Sequence, residues 1–144
     1  MKTLNSFLFA ALLFISTFAA KASDKPDAAK LSKNYAINTY VSAICQGKLA
    51  GLGDVIEDCA KFSILRGNKV VSCDKEQMIK FMKENANVRQ DCTTSTSVVE
   101  ANADITVVKV DMQYSHFVRS NYVTLANTGN GWKITNVHSV FNKI

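Results

Sequence analysis

Two histidines are the side chains of this sequence best suited to move a proton near neutral pH. His138 alternates with Trp132, Ile134, Asn136 and Val140 along a predicted strand, so all five are predicted to lie on one face of it. If that face lines a pocket, His138 could act there as a general acid or base. If it does not, His138 is an ordinary sheet histidine. His116 falls in a predicted hairpin turn, where we expect it to be exposed.

Three carboxylates, Asp54, Glu57 and Asp58, form an acidic cluster. They could supply a general base or hold a cation, but a solvated helix face accounts for them more simply. A calcium site needs many oxygen ligands at loop spacing, and this cluster does not have that spacing. Asp111 and Arg119 fall on neighbouring predicted strands, where a cross-strand ion pair is the simplest explanation for both. No Ser/His/Asp arrangement can be assembled, so we assign no catalytic residue and no metal ligand.

Two aromatic residues, Trp132 and Tyr122, could stack on a flat ligand such as a pterin-like or flavin-like ring. They could also be core aromatics, which is the interpretation we favour. Gly47, Gly51 and Gly53 lack the strand-turn-helix context of a phosphate-binding loop. The sequence therefore predicts no cofactor.

The four cysteines are Cys45, Cys59, Cys73 and Cys92. They contain no C-x-x-C pair, and the histidines lie far from them, which argues against a zinc site. An even number of cysteines permits disulfides in an oxidising compartment, although some could simply be buried small apolar residues. We expect at least one bridge and favour Cys73–Cys92, because these residues would end one strand and begin another on either side of a helix.

The first 22 residues have the layout of a secretory signal peptide. A positive start at Lys2 precedes the largely apolar, uncharged segment 4–20, and Ala20-Lys21-Ala22 forms a small-x-small cleavage pattern. The alternative is a membrane anchor, but the uncharged segment is short for a span of about 20 residues. We therefore expect cleavage after Ala22, a periplasmic or secreted protein no longer attached to the membrane, and one domain over residues 23–144.

The formal net charge of +5 is a weak argument for a nucleic-acid partner. Lys2 and Lys21 belong to the predicted signal peptide, so the mature chain is less basic. The remaining basic residues are scattered and form no arginine-rich stripe. We expect no nucleic-acid partner.

Apolar periodicity predicts three helices and a short hairpin before residue 90. The predicted helices span 28–45, 49–58 and 75–85, and the hairpin strands span 60–65 and 69–73. Asp27 would cap the first helix and Gly47 would end it. Asp74 and Gln77 have the spacing of a capping box at the third helix.

Four strands follow, separated by short turn-forming segments. We predict them at 92–99, 104–112, 117–126 and 131–141. Short connections imply antiparallel pairing. The predicted fold class is therefore α+β, with three N-terminal helices and a short hairpin packed on a curved antiparallel sheet. The curl of such a sheet leaves a cone whose mouth is a natural pocket.

Two segments carry a resemblance to a known family. Residues 40–48 read Tyr-Val-Ser-Ala-Ile-Cys-Gln-Gly-Lys and match a helix end of the pattern Tyr-x-x-Ala-aliphatic-x-x-Gly-(Asp/Lys). Residues 121–127 and 131–134 match a final hairpin. Together with the element order over 28–142, they resemble the nuclear transport factor 2-like superfamily, a cone-shaped, cystatin-like fold. Within it the chain is most similar to exported bacterial proteins labelled putative lumazine-binding.

The ketosteroid isomerases of this superfamily allow a test for catalysis. The resemblance aligns Tyr40 with their oxyanion tyrosine, Ile64 with their base carboxylate and Thr124 with their second acid. Ile64 cannot carry a proton, and Thr124 has no accessible acidity at neutral pH, whereas the reaction needs both acids. We therefore argue against isomerase activity.

These observations favour an exported, non-catalytic protein that binds a small hydrophobic or flat aromatic ligand in a cone-shaped pocket. The candidate ligand-binding residues are Tyr40, Ile64, Tyr122, Thr124, Trp132 and His138. The resemblance also implies a homodimer formed through the open sheet face.

Two alternatives remain open at this point. The chain could be an enzyme of the same fold, isomerase-, dehydratase- or cyclase-like, which would require Tyr40 to meet His138 or Asp58 at the mouth of the cone. It could also be a protein-binding module whose cone is filled by large side chains such as Phe62, Trp132 and Phe141.

Overall fold

The computed structural model describes residues 27–144, so the predicted signal peptide and its cleavage after Ala22 lie outside the described residues. A 3₁₀ turn at Ala28–Leu31 is followed by α1 (Lys33–Gln46), α2 (Leu52–Val55), β1 (Ile56–Arg66), β2 (Lys69–Asp74), α3 (Lys75–Glu84), β3 (Thr93–Ala101), β4 (Ile105–Gln113), β5 (Phe117–Thr128) and β6 (Gly131–Lys143). The α+β class and the element order agree with the prediction. Within this part of the chain, no helix is long and apolar enough to cross a membrane.

All six strands form one sheet in the order β2-β1-β6-β5-β4-β3. The hairpin β1–β2 was predicted to pack on the sheet, but it extends the sheet through a parallel pairing of β1 with β6. The prediction of an antiparallel sheet is therefore wrong at this one pair. Parallel neighbours need a long crossover, and the chain from β2 through α3 to β5 supplies it.

The predicted first helix is divided at Ser32. This residue has extended backbone angles, and its hydroxyl accepts a hydrogen bond from the Tyr35 amide at 3.1 Å, which makes Ser32 the N-cap of α1. Asp27 caps the short 3₁₀ turn instead. Gly47 ends α1 with a φ of 66°, as predicted.

The expected set of three N-terminal helices is also corrected. The predicted helix over 49–58 is reduced to the single turn α2, and strand β1 begins at Ile56. Glycines at 51 and 53 weaken this helix, so the strand-forming residues that follow prevail. The third helix, α3, lies between β2 and β3. Its capping box is confirmed, because the Asp74 and Gln77 side chains each accept a hydrogen bond from the other residue's backbone amide.

The core lies between α1 and one face of the sheet, which we call the inner face; the opposite face is the outer face. Inner-face positions alternate along the central strands and are almost fully buried, for example Val110, Val123 and Ile134. Ala36 and Tyr40 of α1 pack against them. Helix α3 packs against β1 and β2.

Candidate functional site

A cavity of about 400 Å³ opens between the C-terminal half of α1, helix α3 and the inner face of the sheet. We call it the inner cavity. Its wall is mostly apolar and includes Ile44, Ile64, Met78, Phe81, Met82 and Phe141. A smaller cavity of about 90 Å³ shares Tyr40, Ile64 and Arg119 with it. A volume of 400 Å³ lies in the range of small-molecule sites.

Tyr40 lies on the inward stripe of α1, one turn from Ala36 and close to Ala43, and only 3% of it is exposed. The small side chain of Ala43 lines the cavity beside it. Burial raises the pKa of Tyr40 to about 12, while the charge of Arg119 opposes this rise. The phenol is therefore neutral at physiological pH.

Arg119 brings a positive charge to the same cavity. It lies on the inner face of β5, since it alternates with the buried residues Asn121 and Val123. Its Nε donates to Asn121 Oδ1 at 3.0 Å, and one of its terminal nitrogens donates to Ser139 Oγ at 3.3 Å. Ser139 in turn donates to Asn121 at 2.6 Å. This buried network holds the guanidinium in place.

The predicted ion pair between Asp111 and Arg119 is wrong. Asp111 lies opposite Ser120 in the β4–β5 register, whereas Arg119 lies opposite Met112, so the two charges are on opposite faces. Asp111 accepts a hydrogen bond from Ser120 and forms an ion pair with Lys109 at 2.9 Å. The alternation of Arg119 with Asn121, Val123 and Leu125 was the pattern that could have placed it inside.

The structure brings together two of the six predicted ligand-binding residues, Tyr40 and Ile64. Tyr122, Thr124 and His138 occupy strand positions between inward-facing residues, so they lie on the outer face, where His138 is opposite Tyr122 in the register. These three share no pocket with Tyr40. The prediction that His138 lies on the same face as Trp132 and Ile134 is wrong, because the β5–β6 register shifts by one residue between the pairs Thr124–Asn136 and Leu125–Ile134. Their binding of a ligand remains a prediction that would need a separate, outer-face site.

Trp132 lies away from the inner cavity. It packs partly buried against the core near the start of α1, where the Lys33 ammonium is 5.5 Å from the centre of its ring. The inner cavity is lined by the last turns of the same helix. Trp132 therefore packs as a core aromatic, and its binding of a ligand remains a prediction.

The residues of the enzyme alternative do not converge. Tyr40 is inside, His138 is on the outer face, and the Asp58 side chain is 93% exposed. The pKa of Asp58 is lowered, mainly because Lys75 donates a hydrogen bond to its carboxylate at 2.7 Å. Among residues 27–144, no three His, Cys, Asp or Glu side chains are grouped as metal ligands.

The aromatic residues proposed to fill the cone leave it partly empty. Phe62 is buried beside the smaller cavity, Trp132 lies near the other end of α1, and Phe141 is 48% exposed at the edge of the inner cavity. The interior therefore keeps an open space of ligand size.

All four cysteines lie in the described part of the chain, and all four are free thiols. The favoured Cys73–Cys92 bridge is not formed, because Cys73 is in the edge strand β2 and Cys92 directly precedes the opposite edge strand, β3. The neighbour of Cys92 is instead Cys45, near the end of α1. Burial raises the pKa of the Cys45 thiol to about 11, and the Cys92 thiol adds to this rise.

Comparison with protein families gives one match, which covers residues 31–141 and is described as "Putative lumazine-binding". The match includes α1, the inner cavity and all of the sheet except the last two residues of β6. No curated protein matches the chain.

Solved structures with a similar fold include an NTF-2 like protein of unknown function from Silicibacter pomeroyi, with a TM-score of 0.60 and 17% identity over 77% of this chain and 92% of that one. An NTF2-like protein from Cytophaga hutchinsonii has a TM-score of 0.59 and 15% identity over 74% and 93% of the two chains. A ketosteroid isomerase-like protein from Erwinia carotovora atroseptica has a TM-score of 0.57 and 14% identity over 77% and 92%. At these identities the likeness shows the fold alone.

Proposed function

The chain belongs to the putative lumazine-binding family, within the nuclear transport factor 2-like superfamily, and from this premise we propose that it is an exported, non-catalytic protein that binds a small molecule in the inner cavity. The observation that carries the proposal is the cavity of about 400 Å³ with a mostly apolar wall. The ligand is a small hydrophobic or flat aromatic compound, because burial of apolar surface is the main driving force such a wall offers.

The chemistry of the wall supports binding rather than catalysis. Ile64 lines the cavity at the position where the superfamily resemblance puts a base carboxylate. No Asp, Glu or His side chain lies among the residues that form the wall in the described part of the chain. Tyr40 is the one phenol there, and a single neutral donor does not make an acid–base pair.

Three further features belong to the proposal. The N-terminal pattern supports export with cleavage after Ala22, into the periplasm or the medium. The resemblance supports a homodimer through the outer face of the sheet. The oxidising destination supports a disulfide, for which the structure makes Cys45 and Cys92 the best-placed pair.

The test is native mass spectrometry of the mature protein purified from its exporting host. We expect a dimer with a small-molecule adduct, and an N-terminus at residue 23. Two tryptophan variants on the same helix provide the comparison: Met82→Trp fills the cavity, whereas Lys80→Trp changes an exposed position of α3 that does not line it.

We expect the adduct to be lost in Met82→Trp and kept in Lys80→Trp. The same pair of variants is compared for binding of the neutral apolar fluorophore N-phenyl-1-naphthylamine, whose emission rises in apolar surroundings. If the wild type carries no adduct and binds no fluorophore, or if Met82→Trp binds as well as the wild type, then binding in the inner cavity is wrong. A chain that sediments only as a monomer at micromolar concentration would contradict the dimer.

A further inference from the structure

Two arginines, Arg66 and Arg119, line the inner cavity, and Arg119 is the one that is not exposed. Its guanidinium is half-buried and always protonated. Its protein partners, Asn121 and Ser139, are both neutral, and the face of Phe141 lies 5.8 Å from its central carbon. In the part of the chain that the structure describes, no carboxylate is within ion-pair distance of Arg119.

The surroundings of the cavity do not balance this charge. Arg66, a second arginine, lines the cavity, and no Asp or Glu is among the described residues of its wall. A partly desolvated charge without a counter-ion costs free energy unless something else pairs with it. The site is therefore electrostatically incomplete as the protein alone presents it.

Hydrogen bonds to Asn121 and Ser139 hold the Arg119 guanidinium in an orientation that leaves donors free for an anionic ligand. Asn121 and Ser139 are 0% and 2% exposed, and they occupy the Nε and one terminal nitrogen of the guanidinium. The other terminal nitrogen keeps its donors free. A guanidinium with a fixed plane and free donors is suited to a carboxylate, which it can bind with strong, charge-assisted hydrogen bonds.

Tyr40 supplies a second donor to the same space. It lines both cavities together with Arg119. Because the phenol stays neutral, it can donate to an anion without adding repulsion. The apolar wall formed by residues such as Ile44, Met78 and Met82 then faces the rest of the ligand.

We propose that the inner cavity binds a carboxylate with an apolar body, with Arg119 pairing with the carboxylate, Tyr40 donating to it and the wall of α1 and α3 enclosing the body. This inference rests on the proposed function, since it assigns the chemical class of the ligand in the same cavity. A carboxylate carries one charge and two acceptor oxygens, which match the free donors of the Arg119 guanidinium and the Tyr40 hydroxyl. Arg66 lines the same cavity but is exposed, so we assign the pairing to Arg119.

Matched pairs of probes test the charge separately from the shape. Each carboxylate is compared with its primary amide, 2-naphthoate with 2-naphthamide and decanoate with decanamide, by displacement of N-phenyl-1-naphthylamine from the mature protein. We expect each carboxylate to bind at least about tenfold more tightly than its amide, the size of one charge-assisted hydrogen bond.

Variants then assign the difference to Arg119. In Arg119→Gln the preference for the carboxylate is expected to vanish while the amide binds as before. In Arg119→Lys the preference is reduced, because the charge remains without the planar fork. Lys109→Gln, a change of an outer-face lysine, is the control and should leave the preference intact. Thermal unfolding shows whether each variant is folded.

The outcomes separate the two proposals. If amides and carboxylates bind equally to the wild type, the carboxylate inference is wrong, while binding in the cavity stands. If 2-naphthyl phosphate binds more tightly than 2-naphthoate and depends on Arg119, the ligand is a phosphate and the inference is again wrong. If no probe and no fluorophore binds, the proposed function itself fails. Should Arg119→Gln not fold, the wild-type comparison and Arg119→Lys still decide the matter.

Discussion

Tyr40 belongs both to the hydrophobic core between α1 and the sheet and to the lining of the inner cavity, which we assign to a ligand. A phenol in this position is held neutral, because burial raises its pKa from 10.0 to about 12. That shift has a consequence for stability at high pH.

The residue-scale prediction concerns alkaline unfolding. The native state binds the Tyr40 proton more tightly than the unfolded state, so this contribution to stability is complete below pH 10 and is lost as the pH rises towards 12. Relative to Tyr40→Phe, we expect the wild type to lose about 1 kcal/mol of unfolding free energy between pH 9 and pH 11. Urea unfolding of both proteins at the two pH values measures this difference.

Tyr114 does not confuse the comparison. Burial, followed by the nearby Cys92, raises its pKa to about 12 as well, but Tyr114 is present in both proteins and its effect cancels. If wild type and Tyr40→Phe lose stability in parallel between pH 9 and pH 11, the pKa of Tyr40 is not raised by the fold.

At the scale of elements, the end of α1 is tied to the segment that follows α3. The Asn87 amide donates to the Gly47 carbonyl at 3.0 Å, and the Gln90 amide donates to the Cys45 carbonyl at 2.8 Å. Gly47 itself has a φ of 66°, which favours glycine. A Cβ at this position would lie 2.5 Å from the Asn87 nitrogen, so backbone would have to move.

The element-scale prediction is that Gly47→Ala lowers the free energy of unfolding by about 2 kcal/mol or more, from the left-handed backbone angle and the backbone clash together. Gly53→Ala is the matched control, since nothing lies within 4 Å of its added Cβ and its φ is not in the left-handed region. We expect that change to be neutral or slightly stabilising. Chemical denaturation measures both variants, and equal losses would contradict the role of Gly47.

At the scale of the whole molecule, the thiols of Cys45, near the end of α1, and Cys92, just before the edge strand β3, are neighbours. In an exported protein, thiol–disulfide exchange with the disulfide of an oxidant would join the two sulfurs, with two protons and two electrons passing to that oxidant. The bridge would close a long loop containing β1, β2 and α3. A disulfide that closes such a loop stabilises the fold chiefly by restricting the conformations of the unfolded chain.

The whole-molecule prediction is that the protein, if exported as we propose and recovered from an oxidising compartment, contains a Cys45–Cys92 disulfide. Reducing this bond is expected to lower the free energy of unfolding by about 2–4 kcal/mol. Peptide mapping without reduction identifies the pair, and unfolding with and without reductant measures the effect. The double variant Cys59→Ser/Cys73→Ser is the control and should keep both properties. A Cys73–Cys92 peptide, or four free thiols, would show that the pairing is different.

Local patterns determined most of the secondary structure. The four C-terminal strands lie within about two residues of their predicted bounds, because turn chemistry and alternation act over a few neighbouring positions. The capping box at α3 and the glycine at the end of α1 were predictable for the same reason. The division at Ser32 was missed, although a serine before a helical stripe is itself a local pattern.

The candidate site was only partly predictable. Tyr40 and Ile64 were found through the resemblance, and the structure places both at the cavity. Arg119 was missed, and Tyr122, Thr124 and His138 were grouped with residues of the opposite face. In a strand, a shift of one residue moves a side chain from one face to the other, so an uncertainty that is small in sequence is decisive for a pocket.

What the sequence by itself determined is therefore the family, the α+β class, the strands and their turns, since these depend on contacts between near neighbours. Only the tertiary structure decided that β1 pairs in parallel with β6 and that Cys45 is the neighbour of Cys92. These pairings join residues far apart in the chain. They are selected by the packing of the whole sheet against α1, which no local pattern records.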